Sequence, residues 1–128
     1  RSESEYSHCK LINKDEIKKF LLKRGFKILQ TGSLDFLQQV DLFNNAKFVI
    51  GPHGAAFANL VFCKPKTNVI EIKPKKQPNN YKKISNLNDL NYAQINLRLL
   101  KPKYLEEGDM HINPKKLLKV INILDKKK

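Results

Sequence analysis

A chain of 128 residues with 41 % hydrophobic content is long enough for one domain with a buried core, and no apolar run in it approaches the roughly 20 residues that a membrane-spanning helix needs. Its formal net charge is +13, but arginine occurs only at Arg1, Arg24 and Arg98 and the lysines are spread over every segment. That reads first as a lysine- and asparagine-rich bias, not as a base-reading surface. Two cysteines, Cys9 and Cys63, exclude a disulfide framework and a metal-ligand pair spacing.

Arg1 to Lys10 is polar, lacks periodicity and reads as a loop. Asn13 and Glu16 have the spacing of a capping box. Ile17, Phe20, Leu21 and Arg24 follow at helical spacing, and Gly25 is a helix stop. Phe26-Lys27-Ile28-Leu29 reads as a short strand. Ser33 then caps a second helix with an apolar face of Phe36, Leu37, Val40 and Phe43, ended by Asn44-Asn45. Phe48-Val49-Ile50 is a short buried strand that Gly51-Pro52 breaks. From Gly54 to Phe62 almost every residue is apolar, which predicts a buried helix whose Ala55, Ala56 and Ala58 bring its backbone close to the sheet. Cys63 at its end reads as a core thiol.

Asn68 to Ile72 is nearly all apolar and predicts a strand buried on both faces. Pro74 to Pro78 is a loop, Asn79 to Asn88 a short helix, and the alternation from Tyr92 to Leu100 a half-exposed edge strand. Lys101 to Asp109 is irregular. Asn113-Pro114 opens the last helix, with Leu117, Leu118, Ile121 and Leu124 on its apolar face, and Asp125 to Lys128 frays. The alternation of helices and strands predicts one α/β domain over residues 1–128, Rossmann-like, with a mostly parallel sheet and helices on both faces. Such a domain ordinarily begins with a strand, and here the first visible element is a helix. Two arrangements stay open: a central strand lies just before Arg1, or Phe26–Leu29 pairs directly with Phe48–Ile50. The absence of an initiator Met fits an excised or processed piece.

The strand, glycine turn and helix at Phe48–Phe62 would aim unpaired helix N–H groups at whatever sits above the strand, and a diphosphate is the natural occupant. Gly51 and Gly54 alone are not a full dinucleotide fingerprint, so a ligand-free unit of the same shape stays equally open. His53 at the mouth either donates to a ligand or caps the helix. Asn59, the one strongly polar residue of the helix, bonds neighbouring backbone or faces the ligand. Glu71 lies about 20 residues beyond the turn, where a carboxylate can accept ribose hydroxyls. Its other reading is a solvated or lysine-paired acid beside Lys73 and Lys75. Lys64, Lys66, Lys73, Lys75 and Lys76 crowd one region of sequence beside the glycine turn, an attraction for a polyanion. His8 and His111 fall in irregular segments with no metal-ligand spacing, and Asp41 and Asp109 read as surface residues.

The string Gly51-Pro52-His53-Gly54-Ala55, continued through Asn59, Pro65 and Val69-Ile70-Glu71-Ile72, resembles the signature of glycosyltransferase family 61 and its bacterial relatives in capsular polysaccharide biosynthesis. Gln39-x-x-x-Phe43-x-x-Ala46 is similar to that family as well, and the resemblance runs from Asn13 to Tyr92. It implies one half of a GT-B architecture, the carboxyl-terminal, donor-binding half of a longer protein that transfers a sugar from a nucleotide-sugar to a hydroxyl acceptor. It implies donor contacts from Gly51, Pro52, His53, Gly54, Ala55, Ala56, Asn59, Glu71 and Arg1, with Glu71 on the ribose. His53 would be the catalytic group, lying against the diphosphate and stabilising the leaving nucleotide. No metal is expected, and the Asp-x-Asp metal motif of other glycosyltransferases is absent. A second basic position of the family appears here as His8-Cys9-Lys10, a departure in the N-terminal part of the site. The acceptor and general base would belong to an upstream half, so this chain alone would bind donor weakly and catalyse little. The bacterial members imply a cytoplasmic setting, the eukaryotic ones the ER or Golgi lumen, and the composition leans to the bacterial cytoplasm. Two other functions stay open: a non-catalytic nucleotide- or phosphate-binding module, and a basic nucleic-acid-binding domain. Duplex-DNA binding that survives physiological salt would mark the latter.

Overall fold

A computed structural model describes residues 9–75, 77–99 and 108–126. The elements in order are β1 (Cys9–Leu11), α1 (Lys14–Leu22), a short 3₁₀ turn, α2 (Phe36–Asn45), β2 (Phe48–Pro52), a 3₁₀ helix (Ala55–Phe62), β3 (Asn68–Pro74), α3 (Asn80–Leu87), β4 (Asn91–Leu97), β5 (Gly108–Met110) and α4 (Pro114–Asp125). The fold is mixed α/β with every described strand pair parallel, as the sequence predicts. β3 lies between β2 and β4, and all seven of its residues are buried. An apolar run such as Val69-Ile70 suits that central place, because a strand covered on both faces has no need of alternation. β4, with its polar alternation, is the edge strand that the sequence predicts.

The two faces of this sheet have separate cores. Ile70, Ile72 and Ile95 pack with Ile17 and Leu21 of α1 and with Leu117, Ile121 and Leu124 of α4. Val69 on the opposite face joins Phe43 of α2, Phe57 and Leu60 of the 3₁₀ helix, Cys63 and Leu90. Helices therefore cover both faces, as expected. At the start of α4, Asn113 Oδ1 accepts from Lys115 N at 2.9 Å, with proline in the first turn. No described helix is long and apolar enough to cross a membrane.

Several local expectations give way to tertiary structure. Cys9 and Lys10, at the end of the segment that reads as a loop, are strand, because Cys9–Leu11 pairs in parallel with Gly108–Met110, which begins in the stretch Lys101 to Asp109 that reads as irregular. Asn13 does not close a backbone capping box: its Nδ2 donates to Ile112 O at 2.7 Å while its Oδ1 accepts from Ile112 N at 3.2 Å. Those two bonds tie the start of α1 to the chain beyond β5. Asp35, not Ser33, caps α2, in a reciprocal box with Gln38, and Ser33 instead donates to Gln30 O. Phe36 and Leu37 are consequently at the exposed start of the helix, and only Phe43 of its predicted face is fully buried. Phe26–Leu29 is not a strand. Gly25 does end the first helical segment, at φ +86°, a region open to glycine at little cost.

The apolar run Ala55–Phe62 is not a fully buried α-helix. It winds as a 3₁₀ helix, whose three residues per turn stack positions i and i+3. Phe57, Leu60 and Cys63 form the buried row, while Ala55, Ala58 and Val61 form an exposed one. Asn44 Nδ2 donates to Phe62 O at 3.1 Å, and Asn88 Nδ2 adds a bond at 3.3 Å to Leu60 O, which also accepts from Cys63 N.

Candidate functional site

The carboxyl ends of β2 and β3 bring together the residues on which the chemistry would depend. His53 follows β2 directly, and its backbone N–H donates to Ile72 O at 2.8 Å, continuing the ladder one step. Gly51 stands opposite Glu71 in the register, and Tyr92 opposite Val69. Alternation puts Gly51 and His53 of one strand, and Val69, Glu71 and Lys73 of the next, on the face covered by the 3₁₀ helix. A Cβ on Gly51 would meet the Phe57 ring at 3.5 Å, an ordinary van der Waals contact, so the ring packs directly over this position of the strand.

Glu71 is fully buried, and both of its oxygens are engaged. Oε2 lies 2.5 Å from His53 Nδ1, and Oε1 accepts the hydroxyl proton of Tyr92. A carboxylate facing Nδ1 calls for a proton on that nitrogen, which fixes the ring's tautomer and orientation. The His53 side chain keeps 17 % of its surface exposed and Glu71 none, so His53 can touch a ligand and Glu71 acts from behind it. Burial, and then the hydrogen bond and charge of Glu71, hold the Tyr92 phenol far above its ordinary range. Tyr81 of α3 lies with its ring 5.2 Å from the imidazole and 5.5 Å from Phe57, so aromatic surface walls the cluster.

This geometry changes the expectation for Glu71. It is fully buried, and among the described residues its hydrogen-bond partners are His53 and Tyr92 and not a lysine, so a ribose would reach it only past the side chains that cover it. Lys73 is also fully buried, with Nζ donating to Gln77 O at 2.8 Å, Pro78 O at 3.1 Å and Asn79 Oδ1 at 2.7 Å. Burial lowers its pKa, Glu71 partly offsets that, and Lys82 adds to it. Gln94 Nε2 donates to the same Asn79 oxygen at 3.0 Å, so the loop after β3 is latched beside the cluster.

The lysines do not converge. Lys64 and Lys66 precede β3 and Lys73 and Lys75 lie at its far end, about 20 Å away at the rise of a strand. Lys66 pairs with Asp89 at 3.0 Å. Lys76, Arg1 and His8 lie outside the described residues. Asn59 faces neither neighbouring backbone nor the His53 cluster with its amide nitrogen, which donates to Gln39 Oε1 at 2.8 Å. Gln39 in turn donates to Thr31 O at 2.9 Å and Leu34 O at 3.0 Å, binding α2, the preceding turn and the 3₁₀ helix together. Gly54, the residue before that helix, has extended backbone at φ 174° and provides no side-chain cap. Pro52, Gly54, Ala55 and Ala56 form the passage from β2 into the helix beside His53. Burial pushes the Cys63 thiol up to about 11, the value of an inert core cysteine. Among the described residues no group of three His, Cys, Asp or Glu side chains could hold a metal ion.

Sequence reasoning did not find Tyr81 or Tyr92. The available signal was Glu71 itself: a carboxylate in an otherwise apolar central strand must meet donors, and neighbouring strands and helices supply them.

The family model described as Glycosyltransferase 61 matches residues 1–70, more than half of the 128. The match takes in Gln39, Gly51-Pro52-His53-Gly54-Ala55 and Asn59, and it ends one residue before Glu71. No curated protein matches the chain.

Proposed function

The chain belongs to glycosyltransferase family 61, and from that premise we propose that the carboxyl ends of β2 and β3 bind a nucleotide-sugar donor. The family assignment supports sugar transfer from a donor to an acceptor. The site supports the finer reading through a single observation: a partly exposed His53 held at 2.5 Å by a buried Glu71, where the chain turns from β2 into the 3₁₀ helix. In this reading Gly51 to Ala56 line the diphosphate, and His53 in its imidazolium form keeps Nδ1–H on Glu71 and donates to the diphosphate from Nε2. The bond between the sugar's anomeric carbon and the diphosphate oxygen breaks, and the acceptor hydroxyl oxygen bonds to that carbon. The hydroxyl proton goes to a base outside these residues. His53 meets the charge that grows on the departing diphosphate, the place where a preorganised donor lowers the barrier most. Glu71 and Tyr92 keep the imidazole in position.

The reading includes a second half that brings the acceptor and the base, in the manner of a GT-B enzyme, and a place in surface-polysaccharide synthesis in a bacterial cytoplasm. Calorimetric titration with UDP, GDP, CDP and ADP tests the donor site directly. Saturable binding of one of them, lost in His53→Ala with the fold intact, is the expected result. If none of the four binds, the donor-binding reading is wrong. If one binds equally well to the variant, the ligand lies elsewhere.

A further inference from the structure

Asn79 is the last residue before α3, the position from which an asparagine ordinarily caps a helix, yet its side chain accepts nothing from that helix. Its oxygen is committed elsewhere. Oδ1 accepts from Lys73 Nζ of β3 at 2.7 Å and from Gln94 Nε2 of β4 at 3.0 Å. An ammonium nitrogen only donates, so the amide atom that faces Lys73 has to be the oxygen, and the amide has one orientation. Nδ2 is therefore turned away from these two donors. Asn79 is exposed, and among the described residues its Nδ2 bonds no acceptor. Its place is the mouth of the candidate site. Gln94 is the register partner of Glu71, and His53, one step past Pro52, stands beside Lys73. Tyr81, two positions after Asn79, has its ring 5.2 Å from the imidazole. A buried ammonium has to be repaid in hydrogen bonds, and one of the three that Lys73 makes holds an exposed amide still.

We propose that Asn79 recognises the nucleoside of the donor: its Nδ2 donates to an acceptor oxygen there, a ribose hydroxyl or a base carbonyl. This rests on the reading that a nucleotide-sugar binds at the carboxyl ends of β2 and β3. With the diphosphate at His53, the nucleoside extends along the sheet ends, and on the β3–β4 side it meets the oriented donor of Asn79. An amide whose oxygen is already held by two partners gives up little freedom when its nitrogen takes a ligand, so the bond contributes nearly in full. Lys73 and Gln94 thereby act on the ligand through Asn79 and do not touch it.

Calorimetric titration separates this residue from the site as a whole. The ligands are whichever of UDP, GDP, CDP and ADP binds the parent, and inorganic pyrophosphate, which has no nucleoside. Asn79→Ala removes the amide without adding charge. It should bind the nucleotide about tenfold more weakly, the scale of one hydrogen bond, and pyrophosphate as tightly as the parent does. Asn79→Asp, in which Lys73 and Gln94 keep their acceptor and the loop its fastening, should lose nucleotide affinity by at least as much. The 2′,3′-dideoxy form of the nucleotide assigns the accepting oxygen: the difference between parent and Asn79→Ala persists if that oxygen is on the base and vanishes if it is on the ribose. Unchanged nucleotide affinity in either variant, or an equal fall for pyrophosphate in Asn79→Ala, makes Asn79 a fastening of the loop and overturns the proposal. A parent that binds pyrophosphate but none of the nucleotides overturns it as well. A parent that binds neither ends the donor-site reading, and the role of Asn79 with it.

Discussion

Glu71 and His53 meet at 2.5 Å across 18 positions of sequence, on adjacent segments in which the register partner of Glu71 is Gly51. The carboxylate reaches diagonally to the residue two positions further along that chain. Tyr92 reaches the same carboxylate from the other side, two positions back from Gln94, the register partner of Glu71 on β4. Diagonal neighbours in a sheet are within reach of long side chains, and here two such diagonals share one acid.

That sharing predicts the effect of Glu71→Gln. A carboxylate accepts both the His53 and the Tyr92 proton, whereas a carboxamide has one accepting oxygen and one donating nitrogen. Either the imidazole moves its proton to Nε2 and accepts the new amide N–H at Nδ1, giving up a charge-assisted bond, or one of the two partners loses its acceptor in a buried site. Urea unfolding should show a stability loss of about 1–3 kcal/mol, the scale of one buried group left unsatisfied. Nitrogen NMR of the His53 ring should show a changed balance between Nδ1–H and Nε2–H. An unchanged ring with unchanged stability would mean that the pair does not hold the imidazole.

Cys63 predicts an alkaline limit to stability. Its pKa rises from 9.0 in the unfolded chain to about 11 in the fold. Between those values the unfolded state loses the proton and the folded state keeps it, so stability falls as pH rises from 9 to 11. At about 1.4 kcal/mol per pH unit the full loss is about 2–3 kcal/mol. Tyr92, also raised, adds a loss in the same direction at higher pH. Cys63→Ala removes only the first contribution. Urea midpoints measured between pH 8 and 11 should therefore fall less steeply in the variant than in the parent, and parallel slopes would contradict the burial argument.

Much of the architecture was legible because it rests on local rules. β3 is all apolar and lies at the centre, β4 alternates and lies at the edge, and Asn113-Pro114 opens α4. The errors share a cause in long-range partners. Asn13 has capping chemistry, but Ile112, 99 positions away, holds its side chain. The apolar Ala55–Phe62 run was legible as a helix, though not as one of three-residue period with a solvent-facing row. At the site, the chemistry of His53 and the importance of Glu71 could be read, but not that they touch, since that depends on register. Lys73 misled most. Composition placed it in a basic patch, and the fold buries it under three acceptors.

Lys73→Met tests that latch. The substitution keeps most of the volume but leaves Gln77 O, Pro78 O and Asn79 Oδ1 without this donor. Pro78 and Asn79 are exposed and can turn to water, so the cost should sit near the low end of the range for lost buried hydrogen bonds, about 1–2 kcal/mol. The local consequence should be larger than the global one: exchange at the Gln77 and Asn79 amides should accelerate more than exchange in β3. Uniform acceleration would instead make Lys73 a general support of the core.

His53 carries the sharpest test of the proposed chemistry. If it meets the departing diphosphate, its interaction strengthens as the bond to the sugar breaks, and its loss is felt in the transition state more than in the bound donor. In a form of the enzyme active on donor and acceptor, His53→Ala should lower kcat by roughly 10²–10³-fold, the range for losing one preorganised donor. The KM for donor should change far less. The structure adds a control. His53→Ala leaves Glu71 buried with Tyr92 as its remaining described partner, so part of any effect comes from an unsettled carboxylate. The double variant His53→Ala/Glu71→Gln removes that charge. A kcat still depressed in the double variant, with stability recovered, assigns the loss to the imidazole. A kcat that returns with stability makes His53 a partner for Glu71 and nothing more, and the reaction then has to take its electrostatic help from elsewhere.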